Sequence, residues 1–272
     1  MLDRHQEYLA WTYFSEDALD KPEFERLGAL LFGTKLFIDV GASHGVYTYH
    51  ANRFLHDADI IAIEADPQRF AVLKSNVEKW SAGSSNRITC INAAVSDAVD
   101  AQAGEGIEFF VTGTQISGGL FSVPERSDDY APTKVPVMQL DELYRPGTPT
   151  TVKIDVEGVE LRVLQGATRL IASGKATFLT EFSWWGDRGR GTSSVDVLRF
   201  STANGLRVDR RLRSDYLLTP EPRAMVRAWS AARCLPPLVT RAAWNRFAPQ
   251  RIRRMRERRL NARRLARFHP EK

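Results

Sequence analysis

Short apolar runs that end near an acid alternate along this chain with stretches whose apolar residues recur at helical spacing. Residues 36–40 form the first such run, Leu-Phe-Ile-Asp-Val, and residues 45–55 read as the helix that follows it. Residues 59–64 form the second run and end on Glu64. Asp66 then stands as an N-cap, with Pro67 at the first position of a helix running to Trp80. Residues 88–92 read as a third strand, 151–156 as a fourth and 176–181 as a fifth. Between the last two, residues 159–171 are amphipathic, with Leu161, Val163, Leu164, Ala167, Leu170 and Ile171 on the apolar side. A helix over 195–204 closes at Gly205, and short strands at 206–208 and 216–218 complete the pattern. Strands alternating with helices predict an α/β fold with a mostly parallel, doubly wound sheet.

Residues 98–135 break this rhythm. A strand over 108–112, a Gly/Ser-rich passage over 113–119 and a charged loop over 124–133 predict a hairpin with a functional loop. A further strand is expected over 135–140, then a helical turn at 141–144. Three divisions follow: helical lead-in over 1–34, the α/β domain over 35–220, and a helical tail over 221–272 dense in arginine.

The first turn carries the most specific chemistry. Asp39-Val40-Gly41-Ala42-Ser43-His44-Gly45 takes the chain from a strand through a Gly-containing turn into a helix. Such a turn aims backbone N–H groups at a polar cofactor, and an acid at the tip of the next strand, Glu64, can accept hydrogen bonds from ribose hydroxyls. The glycine spacing is Gly-x-x-x-Gly, without the close pair and third glycine of the dinucleotide fingerprint. That turns the reading from a nicotinamide cofactor towards S-adenosylmethionine (SAM).

The second cluster is Lys153-Ile154-Asp155-Val156-Glu157-Gly158-Val159-Glu160. Ligands in open α/β sheets bind beyond the carboxyl ends of the strands, where Asp155 falls. Lys153 and Asp155, two apart on a strand, share a face. Glu157 and Glu160 sit where carboxylates favour a helix N-terminus, so a capping role competes with a catalytic one.

From this order of motifs the chain resembles the FkbM-type SAM-dependent methyltransferases. The pieces that match are Ile38–Thr48, Glu64-Ala65-Asp66-Pro67 with Leu73 and Asn76, Asn92-Ala93-Ala94-Val95-Ser96-Asp97, Lys153–Glu160, Val163–Ala167 and Glu181. They span roughly residues 36–218. Ser43-His44 departs from the family, which usually has Asn in the position of Ser43. The resemblance implies a class I methyltransferase, Rossmann-like fold with seven strands, the last antiparallel. It also implies O-methylation of hydroxyls on sugars, glycans or secondary metabolites. Asp39, Gly41, Ser43 and Gly45 would flank the methionine end of SAM, Glu64 would hold the ribose, and Asn92, Ala93, Ala94 and Asp97 would surround the adenine.

An alcohol is a poor nucleophile near neutral pH and needs a base or a metal. Asp155 is the first candidate for the base, with Lys153 and Glu157 as further catalytic candidates. Lys153 could deprotonate a hydroxyl only if burial lowers its pKa; as an ion-pair partner it would be structural. Asp155 and Glu181, on neighbouring strand ends, offer oxygen ligands for Mg²⁺. Trp184-Trp185 would suit a carbohydrate pocket, and residues 189–191 a lid.

Composition excludes some classes and splits the chain in two. Hydrophobic residues make up 43% and charged residues 26%, as in soluble globular proteins. The N-terminus lacks the apolar core of a signal peptide and no run is long enough to span a bilayer, so the cytoplasm is the expected compartment. Cys90 and Cys234 alone build neither a disulfide framework nor a zinc site. The net charge of +5 conceals an uneven distribution: residues 221–272 hold 15 Lys+Arg against 3 Asp+Glu, leaving 23 against 30 for residues 1–220. A tail of +12 on a body of −7 predicts an anionic partner, with the inner membrane surface ahead of nucleic acid. An RNA methyltransferase and a membrane or assembly module on a degenerate methyltransferase fold stand as alternatives. Against the first, no Asp/Asn-Pro-Pro-Tyr motif is present and neither cysteine follows a proline.

Overall fold

Strand β1 (Leu36–Val40) is buried at every position, because it lies inside a sheet covered by helices on both faces. The computed structural model describes residues 22–97, 106–112, 130–156, 158–182, 192–212 and 215–247. Ahead of β1 lies α1 (Pro22–Leu31); after it come α2 (Val46–Phe54), β2 (Asp59–Glu64), α3 (Pro67–Trp80) and β3 (Arg87–Asn92). An excursion follows: β4 (Ala94–Val95), β5 (Ile107–Thr112), β6 (Tyr130–Val135), β7 (Val137–Met138) and a 3₁₀ turn at Leu140–Leu143. The chain then returns to the sheet with β8 (Thr150–Ile154), α4 (Glu160–Gln165), α5 (Thr168–Ala172), β9 (Ala176–Glu181), α6 (Ser194–Ala203), β10 (Leu206–Leu212), β11 (Asp215–Pro220) and α7 (Ala224–Phe247).

The seven-stranded sheet has the order β3-β2-β1-β8-β9-β11-β10. Strands β3 to β9 pair in parallel, whereas β11, the last in sequence, runs antiparallel to both β9 and β10. The strand order reverses between β1 and β8, and ligand crevices open at such a switch point, beyond the strands' carboxyl ends.

Alternation along the strands divides the core. Leu36, Ile38 and Val40 of β1 join Val152 and Ile154 of β8 in the main core beneath α4, α5 and α6. Phe37 faces the other way, towards Leu27 and Leu31 of α1 and Ala51 of α2. The lead-in helix thus closes one face of the sheet, and Thr34 continues the contact through a 2.7 Å hydrogen bond to Thr151.

Local signals place most helix ends where the sequence predicts them. Asp66 accepts the amides of Gln68 at 2.8 Å and Arg69 at 3.3 Å, and Ser193 accepts that of Asp196. Two expectations change. The amphipathic stretch 159–171 is two short helices, parted at Gly166, where a Cβ would lie 2.1 Å from the Ser96 carbonyl oxygen. Asp141, from the excursion, caps the second helix by accepting the amides of Arg169 and Leu170, each at 2.9 Å. The strand expected over 135–140 breaks at Pro136, which has no N–H to donate. Its halves serve different partners: β6 pairs antiparallel with β5, and β7 pairs parallel with β4, both outside the central sheet.

Helix α7 begins as part of the packed unit. Cys234 is buried with its Sγ 3.4 Å from the Val208 carbonyl, Ser230 is buried, and Arg227 donates to the Thr202 carbonyl at the end of α6. The boundary expected at residue 220 therefore falls ahead of side chains that finish the core over β10.

Candidate active site

The residues singled out at the two turns meet at the carboxyl edge of β1, β2 and β8. Asp39 is the penultimate residue of β1 and is 1% exposed. Its Oδ2 accepts both the amide of Thr48 at 3.0 Å and the Thr48 hydroxyl at 2.7 Å, fixing the first turn of α2 to the strand. Burial pushes the Asp39 carboxyl up to about 6, against the opposing pull of Thr48 and Lys153.

Gly41 and Gly45 both have positive φ, at 79° and 92°. A Cβ on Gly41 would lie 2.0 Å from the Asp155 carbonyl oxygen, so the glycine lets the ends of β1 and β8 close on one another. The room it leaves is taken by Asp155 backbone. A Cβ on Gly45 would press on Leu73 and Trp80 of α3. Between them Ser43 also adopts left-handed backbone, φ 52°, a conformation that Asn tolerates better than Ser. Its hydroxyl lies 3.1 Å from His44 Nδ1.

Glu64 joins two turns. Its Oε2 accepts the Ser43 amide at 2.7 Å and its Oε1 accepts the Asp66 amide at 2.8 Å. Burial raises its carboxyl above the ordinary range, with the Asp66 amide, Arg69 and the Ser43 amide pulling the other way. Each carboxylate oxygen keeps acceptor capacity beyond these single bonds. Beside it, Arg69 Nε and Nη2 are buried without a hydrogen-bond partner, the nearest acid being Asp66 at 3.6 Å from Nε. Arg69 is invisible to motif reading; its one sequence signal is its place in the first turn of the helix after Glu64.

The adenine-side candidates are partly committed to the fold. Asn92 Nδ2 donates to the carbonyls of Glu64 and Ala65, at 2.8 and 3.1 Å, holding the β2–α3 turn. Ala93 and Ala94 bury their methyl groups in the core, and the Ala94 amide donates to Pro136. A ligand would meet backbone there, not side chains. Asp97 is half-buried at the edge of the described residues.

At the switch point Lys153 and Asp155 form an ion pair of 3.4 Å, with Lys153 1% exposed and the Asp155 side chain 36% exposed. Lys153 Nζ stands 4.9 Å from the centre of the Tyr47 ring on α2. Burial alone would lower the pKa of its ammonium, but Asp155, Tyr47, Asp215 and Glu181 outweigh that and hold it raised. Lys153 therefore stays protonated, which removes it as a proton acceptor and leaves it as the counter-ion of the acids around it. Glu181 and Asp215 are register partners across β9 and β11, so the sheet delivers both to Lys153. Tyr47 and Thr48 lie within the matching stretch Ile38–Thr48 but carry no expected role there, whereas Asp215 is missed by motif reading because its place beside Lys153 depends on a strand distant in sequence. Among the described residues no group of three His, Cys, Asp or Glu side chains is placed to hold a metal ion, so the Mg²⁺ expected at Asp155 and Glu181 has no support. Glu157, Trp184, Trp185 and residues 189–191 lie outside the described residues.

The strand order and the site beyond β1, β2 and β8 define a class I methyltransferase fold. The family model described as the methyltransferase FkbM domain matches residues 39–208, and the chain belongs to that family. Among solved structures it is similar to the methyltransferase FkbM of Methylobacillus flagellatus KT, at 18% identity and a TM-score of 0.42, over 68% of this chain. The match spans 43% of that protein's length. It is also similar to the precorrin-6y C5,15-methyltransferase of Geobacter metallireducens GS-15, at 13% identity and TM-score 0.38, over 75% of this chain and 89% of that one. A third is M. capricolum TrmK, solved with S-adenosyl-homocysteine, at 12% identity and TM-score 0.37, over 73% and 66% of the two chains. No curated protein matches the chain.

Proposed function

We propose that this protein transfers a methyl group from SAM to a hydroxyl of a sugar, glycan or secondary metabolite. The observation that carries this reading is Glu64: a buried carboxylate at the tip of β2, held by the amides of Ser43 and Asp66, beside two buried donors of Arg69 that lack a partner. Acceptors and unmatched donors at one strand tip fit a polar ligand that carries both, as the ribose and adenine of SAM do. Membership of the FkbM methyltransferase family supports the same cofactor.

SAM, when bound, supplies a methyl group on a positively charged sulfur, and the chain's own residues do the rest. Asp155, at the end of β8 and partly open to solvent, would take the proton of the acceptor hydroxyl as its oxygen bonds the methyl carbon and the carbon–sulfur bond breaks, leaving S-adenosyl-homocysteine. Lys153, charged and buried, keeps the Asp155 carboxylate in place. The Gly41–Gly45 turn and Glu64 position the donor at the switch point, so that transfer becomes a matter of alignment.

Titration calorimetry with SAM tests the cofactor. The wild type should bind, and Glu64→Ala should lose about 1.5–3 kcal/mol of affinity, as for a charge-assisted hydrogen bond. Unchanged affinity in a folded Glu64→Ala protein would remove Glu64 from the site. Transfer of labelled methyl groups to panels of sugars, hydroxylated metabolites and RNA tests the acceptor, and labelling of RNA alone would overturn the sugar, glycan or metabolite acceptor.

A further inference from the structure

Helix α7 has two unlike faces. Inward, Ser230 and Cys234 meet β10 at Val208, with the Val208 amide donating to Ser230 Oγ at 3.4 Å. Outward, Ala224, Met225, Ala228, Trp229, Ala232 and Leu235 recur at helical spacing, and every one is exposed. Met225 is 85% and Trp229 69% open to solvent. The outward face of these three turns thus carries no acid and, apart from its flank, no charge. On the flank, the Arg233 guanidinium lies 5.3 Å from the centre of the Trp229 ring.

A contiguous apolar face of this kind on a surface helix marks a contact site. The sequence around it indicates the chemistry of what it contacts. Between Glu221 and Glu257 there are nine arginines and no acid, and the whole segment 221–272 carries +12 against −7 for the rest. A second copy would bring an equally basic segment to the same contact, which charge complementarity disfavours. Nucleic acid would match the charge and could stack a base on Trp229, but it offers little to the aliphatic remainder of the stripe, Met225, Leu235 and the alanines. An anionic bilayer matches both. Its headgroups attract arginine, while its interfacial layer accepts apolar side chains, and tryptophan in particular.

We propose that α7 is a membrane-docking helix: its inward face completes the domain at the β10 edge of the sheet, and its outward face seats Met225 and Trp229 in the interface of an anionic bilayer. No helix among the described residues is long and apolar enough to cross a membrane, so the attachment is peripheral and salt-sensitive. Because Ser230 and Cys234 belong to the core, the test keeps the full chain.

Vesicles of phosphatidylcholine alone and of phosphatidylcholine with phosphatidylglycerol serve as probes in a sedimentation assay. The wild type should sediment with the anionic vesicles at low salt and be released at high salt. Met225→Glu/Trp229→Glu, at exposed positions, should cut the bound fraction at least tenfold while leaving the thermal midpoint unchanged. Absence of binding to anionic vesicles at low salt overturns the proposal, and so does equal binding by the double variant. A wild-type dimer that the double variant dissociates would assign the face to a second copy instead. Binding of single-stranded RNA in place of vesicles would assign the charge to nucleic acid.

Discussion

Asp39 and Lys153 are register partners on the adjacent parallel strands β1 and β8, and each is 1% exposed. Side chains paired in this way share a sheet face, and here α2 covers both: Thr48 holds the carboxylate and the Tyr47 ring lies beside the ammonium. The switch point of the sheet therefore has a buried polar floor that α2 covers, with Asp155 as the ion-pair partner of Lys153. Above it, the Asp155 side chain is partly open to solvent.

This floor makes stability depend on pH. Asp39 titrates at about 6 in the native state against 3.8 as an ordinary aspartate. Between those values the native state binds more protons than the unfolded state, so this group's contribution to stability falls as pH rises from about 4 to 6. Asn at this position carries no such titration. Urea unfolding of Asp39→Asn and wild type at pH 5 and pH 7.5 should show the variant gaining about 1 kcal/mol on the wild type at the higher pH. A difference independent of pH would show that Asp39 does not titrate in this range.

The contact between Gly41 and Asp155 predicts a stability defect before any loss of binding. Gly41→Ala places a Cβ at positive φ and against a main-chain oxygen. Strain and overlap together should cost about 3 kcal/mol. Denaturant midpoints read the loss directly, and a midpoint near that of the wild type would mean that β1 and β8 can move apart at their ends.

Ser43 stands in left-handed backbone, at the position where the resemblance leads one to expect Asn. Ser43→Asn keeps the amide that Glu64 accepts and relieves the conformational cost, so thermal unfolding should show a gain of about 0.5–1 kcal/mol. A loss instead would identify the Ser43 hydroxyl, through His44, as the stabilising group.

Arg69 separates binding from folding. Arg69→Leu removes two buried donors that have no partner. If those donors serve the cofactor, SAM affinity should fall about tenfold, while the unliganded protein keeps or gains stability, because unsatisfied buried groups are costly. A variant that loses stability and keeps its affinity would make Arg69 a structural partner of Asp66 and Glu64.

Asp155→Asn tests the chemistry. The side chain keeps its shape and its place beside Lys153 but cannot take up a proton. Turnover at saturating SAM should fall roughly 10²-fold or more, with SAM affinity changed far less. Turnover close to that of the wild type would confine Asp155 to pairing with Lys153.

Much of this architecture can be read from short windows of sequence. A buried strand such as Leu36–Val40 is an apolar run, a cap such as Asp66 sits next to the amides it accepts, and Gly205 closes its helix at φ 87°. These signals are local because they come from side-chain periodicity and from hydrogen bonds within one turn. The order of the turns along the chain was enough to indicate the fold class and to mark Asp39, Glu64 and Asp155.

Contacts across the sheet determined what those residues do. Gly166, between the two short helices, has no room for a side chain because the Ser96 carbonyl, 70 positions away, packs against it. Gly41 is required where the Asp155 backbone closes on it. Lys153 stays charged first because Asp155, two residues on, pairs with it, and then because β11 and β9 bring Asp215 and Glu181 towards it. The tail also begins as core, because Ser230 and Cys234 turn inward on β10. Sequence alone thus determined the elements and the acids at their tips, since both are encoded within a few residues. Charge state, close approach and exposure waited on tertiary structure, because each depends on which distant strand or helix becomes a neighbour.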